Sequence, residues 1–267
     1  MTNMRQHNKT IWGELDIRTD EVIALSIGEL RLWLTRDENE LRIACKRCES
    51  VDEVVNEDEV EREWHRWAIT QKNLRIKISP MLPGRPIVVE AETPFRIIEG
   101  GQAKIFVRLP IWLRISTGKK FSKTLLEMPT LTLSNTWFGT FVDGELCYWI
   151  SSGARRNIEA DAQRPFLAIC PVQVIDKTNE GLLLQKICLR APYLTLFHDG
   201  RQLWTDEVKV SYKGEARFSQ LEYSGRAPKE CRQAVVIAEP QIKPKKIILG
   251  RTFASLKELP GVGFFIK

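Results

Sequence analysis

The chain is poor in several things that would have named a function class. It has 267 residues but only three histidines, His7, His65 and His198, and they are isolated from one another. General acid–base chemistry built on imidazole therefore has little to work with. There is no GxSxG elbow, no HExxH, no phosphate-binding loop and no GxGxxG, which removes the usual signatures of hydrolase, zinc-protease and nucleotide sites. No apolar run approaches the roughly 20 residues that a spanning helix needs. The opening stretch, MTNMRQHNKTIWGEL, has no apolar segment of the kind a secretory leader carries. A cytoplasmic location is the expectation.

Six cysteines are present, at 45, 48, 147, 170, 188 and 231. In a reducing compartment they read as thiols, mostly small apolar filler within apolar segments. Cys45 and Cys48 have the spacing of half a zinc site, but the second half is missing. They lie in an alternating run, Leu41-Arg-Ile43-Ala-Cys45, and residues three apart on a strand point to opposite faces. A turn at Lys46-Arg47 would be needed to bring the sulfurs together. The expectation is no metal, with Cys45 and Cys48 the weak candidate pair, and no cofactor.

Charge is plentiful but uneven. The formal net charge is +6, yet residues 49–63 hold eight acids against one base. Lysine and arginine gather at Lys119, Lys120 and Lys123, at Arg155 and Arg156, and at Lys243, Lys245 and Lys246. These clusters are short and scattered. A nucleic-acid binder would show a continuous basic stripe with interleaved aromatics, so solvated strand faces are the favoured reading.

What the chain has in quantity is strand grammar. Leu74-Arg-Ile76-Lys-Ile78 and Ile105-Phe-Val107-Arg-Leu109 alternate cleanly, and Leu131-Thr-Leu133, Ile187-Cys-Leu189 and Val208-Lys-Val210 do so at shorter length. Turn pairs such as Gly100-Gly101, Asp143-Gly144, Asp199-Gly200 and Ser224-Gly225 fall between the runs, and prolines sit at their boundaries. The pattern predicts a mainly β protein of antiparallel β-sandwich units. One or two short helices are expected. One starts at Ser50 with Glu53 completing a capping box, with a charged loop as the alternative for the same segment. The other runs over Thr252–Leu259.

Two segments resemble each other. Lys104-Ile-Phe-Val-Arg-Leu-Pro110 parallels Lys186-Ile-Cys-Leu-Arg-Ala-Pro192, Arg85-Pro86 parallels Arg164-Pro165, and Pro94 heads a run like that after Pro171. This suggests two similar units in tandem. The division expected is an N-terminal β-rich region over 1–80 with the acidic insert, a first sandwich unit over 81–160, and a second over 161–267.

The densest aromatic stretch is SNTWFGTFVDGELCYWISSG, residues 134–153. It reads as a hairpin turning at Asp143-Gly144. Neighbouring aromatics on a strand face opposite ways, so Trp137 with Phe138, and Tyr148 with Trp149, demand cover on both sides. At least three of Trp137, Phe138, Phe141, Tyr148 and Trp149 are expected to be buried, the rest marking a contact surface beside Arg155 and Arg156. The candidate binding residues are Trp137, Phe138, Glu145, Tyr148, Arg155 and Arg156; no catalytic residue is assigned. His198-Asp199 reads as a solvated turn.

The run Thr136-Trp137-Phe138-Gly139, then Gly144-Glu145-Leu146-Cys147-Tyr148, Cys170-Pro171-Val172 and Leu203-Trp204-Thr205 resembles domain of unknown function 432, a family of uncharacterised archaeal and bacterial proteins. The similarity spans the chain from about Trp12 to the FASLKEL segment. The acidic insert at 49–63 departs from that pattern. The family name implies no activity, cofactor or catalytic residue. As to relatives, the resemblance raises a membrane partner such as a mechanosensitive channel. Three readings stand: a binding or interaction module with a protein partner or a homo-oligomer, favoured over catalysis; a β-sandwich enzyme or carbohydrate binder using the hairpin with Asp143 and Glu145; and a peripheral partner of a membrane protein.

Overall fold

All but one of the alternating runs become strands. The computed structural model describes residues 11–55, 62–69, 74–158, 164–214, 217–244 and 247–254. Of these, 56% are in strands and no helix reaches seven residues. In chain order the strands are β1 (Gly13–Leu15), β2 (Val22–Ile27), β3 (Leu30–Arg36), β4 (Glu40–Arg47), β5 (His65–Ala68), β6 (Ile76–Met81), β7 (Ile87–Ile97), β8 (Gln102–Pro110), β9 (Trp112–Thr117) and β10 (Lys123–Pro129). They continue as β11 (Ser134–Phe138), β12 (Glu145–Arg155), β13 (Leu167–Asp176), β14 (Leu182–Leu189), β15 (Leu196–His198), β16 (Leu203–Thr205), β17 (Val208–Tyr212), β18 (Ser219–Tyr223), β19 (Val235–Ala238), β20 (Ile248–Gly250) and β21 (Phe253–Ala254). Single 3₁₀ turns occur at Lys119–Phe121 and Ala191–Tyr193. No helix among the described residues is long and apolar enough to cross a membrane.

The chain forms two compact units. The first takes Met1–Met81, Ile111–Thr132 and Arg164–Phe166. It contains two four-stranded antiparallel sheets, ordered β2-β3-β4-β5 and β1-β6-β9-β10. Alternation is read out directly: Ile76 and Ile78 are buried while Lys77 between them is half-exposed. Ile78 pairs across the ladder with Ile115, which is equally buried.

The helix expected from Ser50 does not form over 50–55; residues 56–61 of that segment lie outside the described part. Glu53 does reach back, but to the N–H of Glu49 at 2.7 Å rather than to Ser50. The Arg31 guanidinium donates to the carbonyls of Val51 at 3.1 Å and Glu53 at 2.6 Å. Those are acceptors an advancing helix would need for its own N–H groups, so the segment stays a turn. Leu131-Thr-Leu133 is likewise not a strand; it links β10 to β11.

The second unit takes Leu82–Pro110, Leu133–Gln163 and Leu167–Lys267. Its thirteen strands form one mixed sheet whose main path is β19-β15-β16-β13-β8-β12-β7-β14-β21, with β11 on β12, β17 on β13, β18 on β17 and β20 on β18. Most pairs are antiparallel, but β12 runs parallel to β7, and β13 parallel to β16 and β17. Both stretches expected to be separate tandem units, 81–160 and 161–267, contribute strands to this sheet. The C-terminal helix expected from Thr252 is instead strand at Phe253–Ala254, paired with β14; residues 255–259 lie outside the described part.

The two similar segments share a strand–turn–strand order, β7–β8 and β13–β14, and they pair reciprocally: β8 with β13 and β7 with β14, with β12 between β7 and β8. Their turns meet. The N–H of Asp176 donates to the carbonyl of Gly101 at 2.9 Å, and a side chain on Gly181 would press on the carbonyl of Ile97. Pro86 and Pro165 precede the first strands, while Pro110 closes β8 and Pro192 follows β14. Pro94 and Pro171 do not correspond, because Pro94 is exposed and Pro171 is buried in mid-strand. Pro171 falls where the neighbour of β13 changes from β16 to β17, between the pairs Ile169–Trp204 and Val172–Val208. A residue without an N–H is tolerated where the ladder is already interrupted.

Candidate functional site

The aromatic stretch is a hairpin, but not a two-residue one. β11 and β12 pair from Ser134–Trp149 to Phe138–Glu145, which leaves residues 139–144 as a six-residue loop. The turn expected at Asp143-Gly144 is displaced because Asp143 has other partners. Its carboxylate accepts from the Thr140 hydroxyl and from Arg251 Nη2, the latter at 3.1 Å. The Trp137 indole N–H donates to the Thr140 carbonyl at 2.9 Å. Gly139 has φ +114°, which a side chain rarely adopts, and so turns the chain into the loop. The Thr140 hydroxyl and then Arg251 hold the Asp143 carboxyl below its ordinary range.

The register sorts the side chains by face. Phe138, Cys147 and Trp149 share the inner face, where Phe138 and Cys147 join Val88 and Cys188 in a buried cluster and Trp149 packs on its side. The thiols of Cys147 and Cys188 lie 3.9 Å apart there, and that mutual contact together with burial pushes the Cys188 thiol well up. Glu145 ends the same face and pairs with Arg190, whose other nitrogen donates to the Arg251 carbonyl at 3.3 Å. A side chain at Gly250 would overlap this guanidinium.

The opposite face is open. Trp137 faces Leu146 across the ladder, and Asn135 faces Tyr148. Trp137 is 41% exposed, Leu146 44%, Phe141 91% and Val142 95%. Of the five aromatics only Phe138, at 1%, is buried; Tyr148 and Trp149 are partly covered. The expectation of at least three buried is therefore wrong. The second layer that the alternation demanded covers one face of the hairpin only.

Arg251 extends this open face. Its guanidinium lies 5.8 Å from the Phe218 ring centre while holding Asp143. Phe218 and Leu249 are also exposed, and in the β18–β20 register, which pairs Leu249 with Gln220 and Ser219 with Gly250, Phe218, Leu249 and Arg251 fall on one face. Six exposed apolar side chains thus flank one Asp–Arg pair.

The candidate residues are only partly brought together. Trp137 and Tyr148 are outer-face neighbours; Phe138 and Glu145 belong to the inner face. Arg155 and Arg156 stand at the far end of β12, roughly 30 Å from the loop at about 3.3 Å per residue. Arg155 is bound to Glu92 at 2.6 Å, and Arg156 lies over Phe95. The candidate list lacked Val142 and Leu146 of the hairpin itself, and it missed Arg85, which lies over the Tyr148 ring, with Arg190, Phe218, Leu249 and Arg251. The five from outside the hairpin were not signalled, because each reaches the site through a contact distant in sequence.

Cys45 sits in β4 opposite Leu32, with Lys46 and Arg47 still paired to β3, so the turn that would join the two sulfurs is absent. Cys48 is buried, its N–H donating to Glu29. Among the described residues no group of three or more His, Cys, Asp or Glu side chains is placed to hold a metal ion. His198 and Asp199 form the β15–β16 turn, where Asp199 accepts from the N–H groups of Arg201 and Gln202 and from the Trp204 indole.

These features describe a mainly β protein whose larger unit is a mixed sheet carrying an open-faced hairpin. The chain belongs to the protein family of unknown function DUF432, whose family model matches residues 11–257. The same comparisons found no match among curated proteins or solved structures.

Proposed function

We infer that this protein is a binding module and that it meets a protein partner through the outer face of the β11–β12 hairpin. The observation that carries this is Phe141 and Val142, almost fully exposed on a loop fixed by the Trp137–Thr140, Thr140–Asp143 and Asp143–Arg251 contacts. Exposed apolar groups on a held loop, with two aromatics and an arginine beside them, match the composition of contact-surface centres. Large exposed apolar patches on monomers mark such sites.

Sugar chemistry fits less well. A glycosidase needs two carboxyls free to act on one bond, one of them held protonated. Asp143 is held ionised by Arg251 and Thr140, and Glu145 is turned inward to Arg190. The test is photo-crosslinking in the source cells from position 142, with exposed Gly200 as control. A discrete product from 142 alone, lost in Phe141→Asp at unchanged melting temperature, supports the reading. Equal labelling from both positions overturns it.

A further inference from the structure

The open hairpin has a second property besides its apolar side chains. β11 pairs with β12 and with no other strand among the described residues, which leaves one of its backbone edges without a strand partner among them. Such an edge is a template for an added strand. Arg85, exposed and just before β7 on the other side of β12, reaches over the outer face of the hairpin, its guanidinium 5.5 Å from the Tyr148 ring centre and 3.4 Å from the Asn135 amide oxygen. Arg85 pairs with no carboxylate among the described residues, whereas the nearby arginines are engaged: Arg190 by Glu145 and Arg251 by Asp143.

We propose that the partner docks as an extended peptide segment lying along β11, with a carboxylate opposite Arg85 and an apolar side chain against Trp137. The spacing follows from the register. Asn135, next to Arg85, and Trp137 are two residues apart on one face of β11, so the segment carries its carboxylate and its apolar residue two apart on its own face. The charge at Arg85 sets polarity and register, the open edge supplies main-chain hydrogen bonds, and Trp137 with Leu146 forms the apolar floor. This proposal rests on the hairpin being the contact site and names what occupies it.

The experiment uses fluorescent nonapeptides of a threonine background carrying one glutamate and one leucine, with the separation varied from one to four and both orders present. Anisotropy titrations are run on the intact chain. Binding is expected to be best at a separation of two, and to weaken about tenfold in Arg85→Glu. It should return when the peptide glutamate becomes lysine. Peptides N-methylated at alternate amides should divide into one set that binds and one that does not, as strand addition requires. Indifference to separation, failure of the charge swap, or no binding by any peptide overturns the proposal. If peptides fail but the crosslink from position 142 persists and is lost in Phe141→Asp, the hairpin stands as a contact site for a folded surface. If both fail, the parent reading goes as well.

Discussion

Trp137 and Phe138 are adjacent, and their fates differ completely. Phe138 belongs to a closed cluster with Cys147, Cys188 and Val88, so Phe138→Ala should cost about 3–5 kcal/mol, the range for truncating a buried aromatic. Trp137→Ala removes a half-open ring and should cost about 1 kcal/mol or less. Urea denaturation of the two variants checks the contrast; equal losses would mean that the outer face is packed after all. Asp206 gives a different kind of test. It is fully buried, and its carboxylate accepts from the N–H groups of Thr195 at 2.8 Å and Gly225 at 3.0 Å. Burial pushes its carboxyl up to about 6. The folded state therefore holds a proton that the unfolded chain releases near 4, so this contribution is fully present below about pH 4 and is lost as pH rises through about 6. The loss should be on the order of 2–3 kcal/mol. In Asp206→Asn the variant should be weaker throughout, because an amide offers only one of the two acceptors, and this part of the pH slope should vanish from its thermal melts.

At the scale of elements, the hairpin keeps its pose through arginines rather than through a tight turn. Arg190 reaches Glu145 on β12 and the carbonyl of Arg251, and it occupies the space a side chain on Gly250 would take. Gly250→Ala should therefore displace the guanidinium and destabilise by roughly 1–3 kcal/mol, as overpacking does. Gly84→Ala meets only ordinary contact with Gln241 and should be near neutral; differential scanning calorimetry of the two distinguishes this from a generic glycine effect. The strands were legible in the sequence wherever one face is buried: Ile76 and Ile78, or Ile105, Val107 and Leu109, announce β6 and β8 by period alone. The capping signal at Ser50 and Glu53 is local, and the outcome over 50–55 is not. Ser50 and Glu53 look like a cap until Arg31, some twenty residues earlier, takes the carbonyls. For the site, the aromatic run located the hairpin, but which face is open depends on what lies under β12, and no pattern within 134–153 encodes that. Arg155 and Arg156 were grouped with the aromatics by closeness in sequence, and an eleven-residue strand carries them away.

The whole molecule is two units threaded by one chain that passes repeatedly between them, since 111–132 and 164–166 belong with the N-terminal unit. A cut at one point cannot separate them. Fragment 1–81 lacks β9 and β10, which leaves β6 with β1 as its single neighbour in that sheet. An isolated two-stranded ribbon is marginal in water. The fragment should show no cooperative unfolding by circular dichroism, and mixing it with a peptide covering 111–132 is the test of whether those strands are what it lacks.

The reciprocal pairing of β7–β8 with β13–β14 has a consequence for synthesis. As the chain leaves the ribosome, β7 and β8 emerge long before the strands that flank them. β12, which lies between them, is complete only at residue 155, β13 at 176 and β14 at 189, so both strands wait with bare margins. Pairings so remote in sequence close slowly, and partly built sheets of this kind are prone to stick to one another. Nascent chains stalled between about 110 and 190 residues are therefore where a cell's folding helpers should be found bound.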